Sequence, residues 1–378
     1  MAKIARLDVV PLEYVMPGGR AYGTARGLNY RRTCSLITLE TDDGVFGIGD
    51  AAGPVGAIRE YLALVRPFFV GRRLYDFEII AAELRHRLYH FGVQNHLTSS
   101  LGGINIAVYD AIGKTLGLPV CDLLGGRSAD CLPCYATTGY FTDDPAADIE
   151  AQLSQLPRGR FAGVKIKIGA SPASDLERVR IARRILGDDI LLMVDINGNY
   201  TVDIALDSLR RIEPFDIHWC EEPLPPTDIR GYAELRARSP IRLSAGEAHY
   251  TALDFKALVD ARAVDILQPS IISGGGFGEA KAVAALAQMN NLRLSPPCWG
   301  SAVAIAAAVH FAASLPVWPH SDRVPYPMLV EYDVSENPLR DELAIKSVRL
   351  GEKGLEVPSG PGLGIELDGA AIERLRSR

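Results

Sequence analysis

The chain has 378 residues, a formal net charge of -6 and a pI near 5.7, so it lacks the basic excess of a nucleic-acid binder. Hydrophobic residues make up 48% and charged residues 23%, the ordinary balance of a soluble globular protein long enough to bury a large core. No apolar leader-like run precedes Pro11, and the most apolar stretch, 302–313, is too short to span a bilayer and carries His310. A cytoplasmic location, with neither membrane nor nucleic acid as partner, is the expectation.

In chain order, residues 34–40 read as a strand, Thr41-Asp42-Asp43-Gly44 as a hairpin turn and 45–50 as the returning strand. From 57 to about 118 the pattern is helical, and Ile104, Val108, Ile112 and Leu116 recur at four-residue spacing on one predicted face. Gly125-Gly126 closes this α+β unit, taken as 1–128. Apolar runs then alternate with amphipathic stretches. They lie at 132–137, 163–168, 190–196, 217–220, 241–245, 264–267, 292–295 and 328–330. Eight strands interleaved with helices predict an α/β fold, a parallel (β/α)8-type barrel over 129–333. The link at 312–327 shows little helical pattern. The tail, 334–378, returns to strand and turn and is expected to rejoin the N-terminal unit. Cys131 and Cys134 form a lone CxxC without the second ligand pair of a structural zinc site, so reduced, buried thiols are expected rather than a redox pair.

In such barrels the chemistry sits at the C-terminal ends of the strands. The third run ends at Asp195, the fourth at Glu221 and the fifth at Glu247, each 26 residues after the last, one βα unit apart. Three carboxylates converging at one rim repel each other unless a cation joins them, and all-oxygen ligands suit Mg2+. Asn197 and Glu222 lie beside them as further ligands or supporting groups. Acidic residues also end strands as helix caps, but equal spacing on neighbouring strands favours metal. The second run carries Lys165-Ile166-Lys167. Alternation sends both lysines to one face and Ile166, with Val164 and Ile168, to the other. A lysine inside a barrel is costly without a partner or a role, and a nearby cation would depress its pKa toward that of a usable base. The implied chemistry is enolisation of a small-molecule carboxylate: Lys167 removes the α-proton, while Lys165 and the metal stabilise the charge that develops.

Taken together, Lys165-Ile166-Lys167, the trio Asp195, Glu221 and Glu247, the Glu221-Glu222-Pro223 turn, Lys114-x-x-Gly117-x-Pro119 and Leu123-Leu124-Gly125-Gly126 resemble the enolase superfamily, in its mandelate racemase/muconate lactonizing branch. The resemblance covers essentially the whole chain. It implies an N-terminal capping domain over a modified TIM barrel, (β/α)7β, with substrate between the two, and a homo-oligomeric assembly. It also implies that Glu331, at the end of the eighth strand, hydrogen-bonds the substrate carboxylate. Mandelate racemase-like members carry an Asp after the sixth strand and a His after the seventh; here the matching places hold Ser270 and Pro297. The lysine that muconate lactonizing-type members place on the sixth strand corresponds to Ser273. Replacement acids in reach are His249, Cys298, Tyr140 and Thr138. The loop 18–32, with Arg20, Arg26, Arg31, Arg32, Tyr22 and Tyr30, matches the one that closes over substrate in this branch, and a basic loop suits a hydroxylated or doubly acidic substrate. Residues 91–98 form a second candidate lid.

Without the dyad, the leading reading is elimination from a hydroxy-acid, served by one lysine and the metal: dehydration of an acid sugar, or ring-opening of a sugar-acid lactone. Motifs such as Asp265-Ile266-Leu267-Gln268-Pro269 and Trp299-Gly300 are similar to those of acid-sugar dehydratases and galactarolactone cycloisomerase. A racemase or epimerase with an unusual second acid is the alternative. A third is a ligand-binding homologue without turnover, against which the intact lysines and ligands speak.

Overall fold

The structure, a computed structural model, describes residues 2–157, 159–317 and 326–377. The N-terminal unit is a three-stranded antiparallel sheet of β1 (Ile4–Val15), β2 (Arg31–Thr41) and β3 (Phe46–Ala51), with β2 central. Helices α1 (Val55–Phe69), α2 (Phe77–Arg87) and α3 (His96–Leu116) pack on it. Sequence reading passed over β1 as a named strand. Its burial does not alternate cleanly: Asp8, Val9, Val10 and Pro11 are all half-buried in succession. The single face predicted for α3 is also too narrow. Leu116 is 52% exposed, whereas the helix is buried on nearly every side from Leu97 to Val108. That half lies between the cap sheet and the barrel, where Asn105 Oδ1 accepts a hydrogen bond from Phe277 N at 2.8 Å.

Eight parallel strands follow: β4 (Cys134–Thr138), β5 (Gly163–Lys167), β6 (Leu191–Asp195), β7 (Ile217–Glu221), β8 (Leu243–Ala245), β9 (Ile266–Leu267), β10 (Arg293–Leu294) and β11 (Val330–Asp333). They lie in the order β10-β9-β8-β7-β6-β5-β4-β11, each hydrogen-bonded in parallel to the next in that order, and Ser295 Oγ donates to Leu329 O at 2.8 Å between the two outer strands. This is the expected enolase-type barrel beneath a capping domain. Tyr135, Met193, Trp219, Ile266 and Leu329 fill its interior, while Val164, Ile166, Ile168 and Val194 face the outer helices in one large core. Helices α4 (Ile149–Ser154), α5 (Pro172–Leu186), α6 (Val202–Ile212), α7 (Ile229–Arg238), α8 (Ala252–Asp260), α9 (Phe277–Met289) and α10 (Ala302–Ala313) link successive strands. Of the patternless stretch 312–327, residues 318–325 lie outside the described ones. No described helix is long and apolar enough to cross a membrane. The apolar α10 is instead buried along its whole length, and His310 Nδ1 accepts from Cys121 N at 3.2 Å.

The tail touches both units. Strand Gly354–Glu356 pairs with Cys131–Leu132, Val120 N donates to Gly362 O at 2.9 Å, and Ser377 N donates to Pro11 O at 2.9 Å. All six cysteines are free thiols, Cys131 half-buried and the rest buried.

Candidate active site

Both lysines of β5 enter the barrel. Lys165 is 1% exposed, and its Nζ lies 5.4 Å from the centre of the Tyr135 ring. That Nζ donates to Glu221 Oε1 and lies 3.0 Å from Glu331 Oε1 and 3.7 Å from Asp195 Oδ2. Lys167 Nζ donates to Asp195 Oδ2 at 2.5 Å and sits 5.9 Å from the centre of the Tyr140 ring. Asp195 and Glu221 are register partners on adjacent strands, and both are fully buried. Glu247, half-buried one strand further on, accepts from Asn197 Nδ2 at 3.3 Å.

Backbone beyond the strand ends holds these groups in place. Ile168 N donates to Asp195 O, Ile196 N to Glu221 O and Glu222 N to Ser244 O, at 2.9, 3.0 and 2.9 Å. Asn197 and Glu222 both adopt left-handed backbone, with φ of 53° and 40°. Side chains other than glycine occupy that region at a cost, and such strain clusters at functional sites. Asn197 N donates to Asp195 Oδ1 at 2.9 Å, so the strained turn also orients the carboxylate.

The charges do not balance. Two ammonium groups stand among Asp195, Glu221, Glu247 and Glu331, and Glu222 adds a further carboxylate beside Glu247. Burial, with Asp195, Glu331 and Glu247 as like charges, pushes Glu221 up to about 8 despite Lys165. Burial and neighbouring carboxylates raise Glu222 and Glu247 as well. Burial also disfavours ionised Asp195 and Glu331, but the two lysines outweigh it and hold both low. For the lysines the order of effects is the same: burial alone would lower them, yet Glu221 and Glu331 raise Lys165, and Asp195 raises Lys167. The depressed lysine expected from the sequence depends on a nearby cation; with carboxylates alone around them the ammonium forms are favoured.

Among the described residues, no three His, Cys, Asp or Glu side chains stand together at ion-holding distances in this conformation. The donor set nevertheless fits a hard divalent cation. It is all oxygen, it carries surplus negative charge, and Asn197 Oδ1 is buried without a hydrogen-bond partner beside it. Asp195, Glu221 and Glu247 are the residues that would hold magnesium.

The remaining predicted residues divide. Glu331 accepts from Thr137 Oγ1 at 2.5 Å and from Cys298 N at 2.9 Å, deep in the barrel beside Lys165. Cys298 thus contributes its amide, while burial and Glu331 keep its thiol protonated, well above the usual range. His249 is buried, and desolvation pulls its imidazole down against the opposing effects of Asp254 and the Pro226 carbonyl. Ser270 is half-buried. Of the loop arginines, Arg26 reaches the metal-site rim, donating to Asn197 O at 3.3 Å. Arg20 pairs with Glu336, Arg31 with Glu13 and Arg32 with Asp333, so most of the basic loop is spent on internal ion pairs. The second candidate lid meets the barrel where Gln94 donates to Asp254. Gln268 was missed: at the end of β9, its Nε2 donates to Glu221 Oε2 at 2.7 Å. The strand-end rule that found the carboxylates would have found it too.

Two family models match the chain: the mandelate racemase/muconate lactonizing enzyme N-terminal domain over residues 14–125, and an enolase C-terminal domain-like model over 148–371. D-Galactarolactone cycloisomerase of Agrobacterium fabrum is 34% identical over 349 residues, 92% of each chain. Arabinonate dehydratase of Saccharolobus solfataricus is 28% identical over 348 residues, 90% of each. Among solved structures, the 3,6-anhydro-D-galactonate cycloisomerase from Zobellia galactanivorans aligns with a TM-score of 0.89 at 32% identity, covering 100% of both chains. A racemase from Streptomyces coelicolor A3(2) with bound magnesium aligns at 0.87 with 27% identity, covering 99% of this chain and 100% of that one.

Proposed function

Because the chain belongs to the mandelate racemase/muconate lactonizing enzyme family, we propose that it is a magnesium-dependent enzyme that removes the proton α to a sugar-acid carboxylate and completes a β-elimination, as a dehydratase or a lactone cycloisomerase. The observation that carries this reading is the paired placement of Lys165 and Lys167 against Asp195, Glu221 and Glu331 inside the barrel.

Bound magnesium would hold the substrate carboxylate and offset carboxylate charge at Asp195, Glu221 and Glu247. Less negative charge at Asp195 weakens its hold on the Lys167 proton, so the amine becomes available as a base nearer neutral pH. Lys165, shared between Glu221 and Glu331, places a fixed positive charge where the enediolate develops. Gln268 and Asn197 orient Glu221 and Glu247. Arg26, on the cap loop and bonded to Asn197 O, would meet the polar end of a hydroxylated substrate. Ser270 and Pro297 supply no base opposite Lys167, which favours elimination over two-base racemisation. Cys298 and His249 are the residues from which an epimerising enzyme would draw its second acid.

The test is incubation with Mg2+ in D2O against a panel of acid sugars and their lactones, followed by NMR. A 2-keto-3-deoxy acid carrying deuterium at C3, from an acid sugar or from a lactone opened by loss of its ring oxygen, supports elimination; an epimer with deuterium at the α-carbon and no keto acid means racemisation. Lys167→Ala should lower α-exchange by on the order of 10³-fold. Unimpaired turnover in that variant would remove the base assignment.

A further inference from the structure

A buried ion-pair network joins the cap, the barrel and the tail at one carboxylate. Asp333, at the end of β11, is 4% exposed. Its Oδ2 lies 3.3 Å from Arg32 Nη1 of cap strand β2 and 3.6 Å from Arg340 Nη1 of the tail. Its Oδ1 accepts from Tyr140 OH at 3.0 Å, from Ser335 N at 3.0 Å and from Ser335 Oγ at 2.5 Å. Tyr140 follows barrel strand β4, and it is the ring 5.9 Å from Lys167 Nζ. Its hydroxyl also accepts from Trp299 Nε1 at 3.3 Å, and its edge meets Tyr22 of the cap at 5.7 Å. The Arg32 guanidinium stacks 3.6 Å from the centre of the Tyr22 ring and 4.9 Å from that of Trp299. Cavities of about 340 and 350 Å3 lie against this group, the first lined by Tyr22 and Tyr140, the second by Arg32 and Trp299. Hydrogen bonds and ion pairs tie these rings together beside the clefts.

Resting on the proposed base role of Lys167, we propose that Asp333 is a positioning residue, which couples docking of the cap, through Arg32, to placement of the Tyr140 ring against Lys167. Asp333 reaches no reacting atom. It acts through Tyr140, whose ring borders the ammonium group and limits where the base can point. A base misplaced by about 1 Å loses rate rather than substrate affinity.

The experiment compares Asp333→Asn, Tyr140→Phe and the double variant in the Mg2+-loaded enzyme, reading kcat, KM and α-deuterium exchange alongside thermal unfolding. Asp333→Asn keeps the shape but removes the charge that gathers the two arginines. Tyr140→Phe keeps the ring and cuts its tether to Asp333. Each should lower kcat about tenfold or more, with KM changed less than about twofold, and the double variant should be little worse than the poorer single one. Independent, multiplying losses, or a lower melting temperature with kcat intact, would overturn the proposal. Should Asp333→Asn fail to fold, Tyr140→Phe decides: wild-type kcat there overturns it. If the wild-type enzyme exchanges no substrate proton, the function reading falls and this inference with it. If wild-type exchanges and Asp333→Asn exchanges equally fast, this inference alone falls.

Discussion

Lys165 carries its charge into the barrel on a side chain 1% exposed and shares it among Glu221, Glu331 and Asp195. Removing one partner from a buried ionic cluster leaves uncompensated charge behind, at roughly 3–5 kcal/mol. Lys165→Met, close in volume, should therefore lower the unfolding free energy by about that much in urea titrations with a chelator present. Lys167→Met should cost less, since among the described residues Lys167 has one ion-pair partner, Asp195, and is 7% exposed. Glu221 gives a pH dependence of defined sign. Its carboxyl is raised from 4.5 to about 8, so between those values the folded state holds a proton that the unfolded chain has released. Stability of the chelated protein should then fall as pH rises through that window, and Glu247 and Glu222 act in the same direction. Affinity for Mg2+ should rise over the same window, because the ion binds the ionised form. Melting temperatures with and without Mg2+ at several pH values check both. At this scale the lysines and carboxylates were legible because each ends or alternates within an apolar run. Asp333 stands two residues after Glu331, on the same face of the same strand, and could have been read by that alternation. Which partner each loop arginine takes could not: Arg20 pairs with Glu336, Arg26 with Asn197, Arg31 with Glu13 and Arg32 with Asp333.

Most strands of the barrel were legible from periodicity within two residues at their ends; the last, read as 328–330, runs Val330–Asp333, and the short helix Ile149–Ser154 was not read. β1 was not, because a run of half-buried residues from Asp8 to Pro11 blurs its alternation. The helical stretch 57–118 held three helices whose mutual packing no pattern announces. Gly49 shows why. A Cβ there would stand 2.0 Å from Gly103 O of α3, a contact with backbone that cannot rotate away. Gly49→Ala should destabilise the cap by about 3 kcal/mol, the cost of forcing a packed sheet and helix apart, readable as a lower denaturant midpoint. The junction between units depends on Asp50, at the end of β3, whose Oδ2 accepts from Ser301 Oγ at 2.7 Å and Ser301 N at 3.3 Å at the start of α10. Asp50→Ala leaves buried donors unpaired and should cost about 1–3 kcal/mol.

Across the whole molecule, the chain builds a barrel whose carboxylate-rich rim is met by a cap loop, and a tail that bonds to both units. The alternation of strands and helices made the barrel legible. The cap-to-barrel contacts Arg26–Asn197, Arg32–Asp333 and Asp50–Ser301 were not, since each joins residues more than 170 positions apart. The account stands on a divalent ion held by Asp195, Glu221 and Glu247 with Lys167 beside it. Anomalous scattering from a crystal of the protein with Mn2+ tests this most directly. The account predicts one strong peak within about 2.0–2.6 Å of oxygens from all three carboxylates, with Lys167 displaced from Asp195. A peak elsewhere in the molecule, or none at millimolar Mn2+ while Lys167 stays on Asp195, would contradict it.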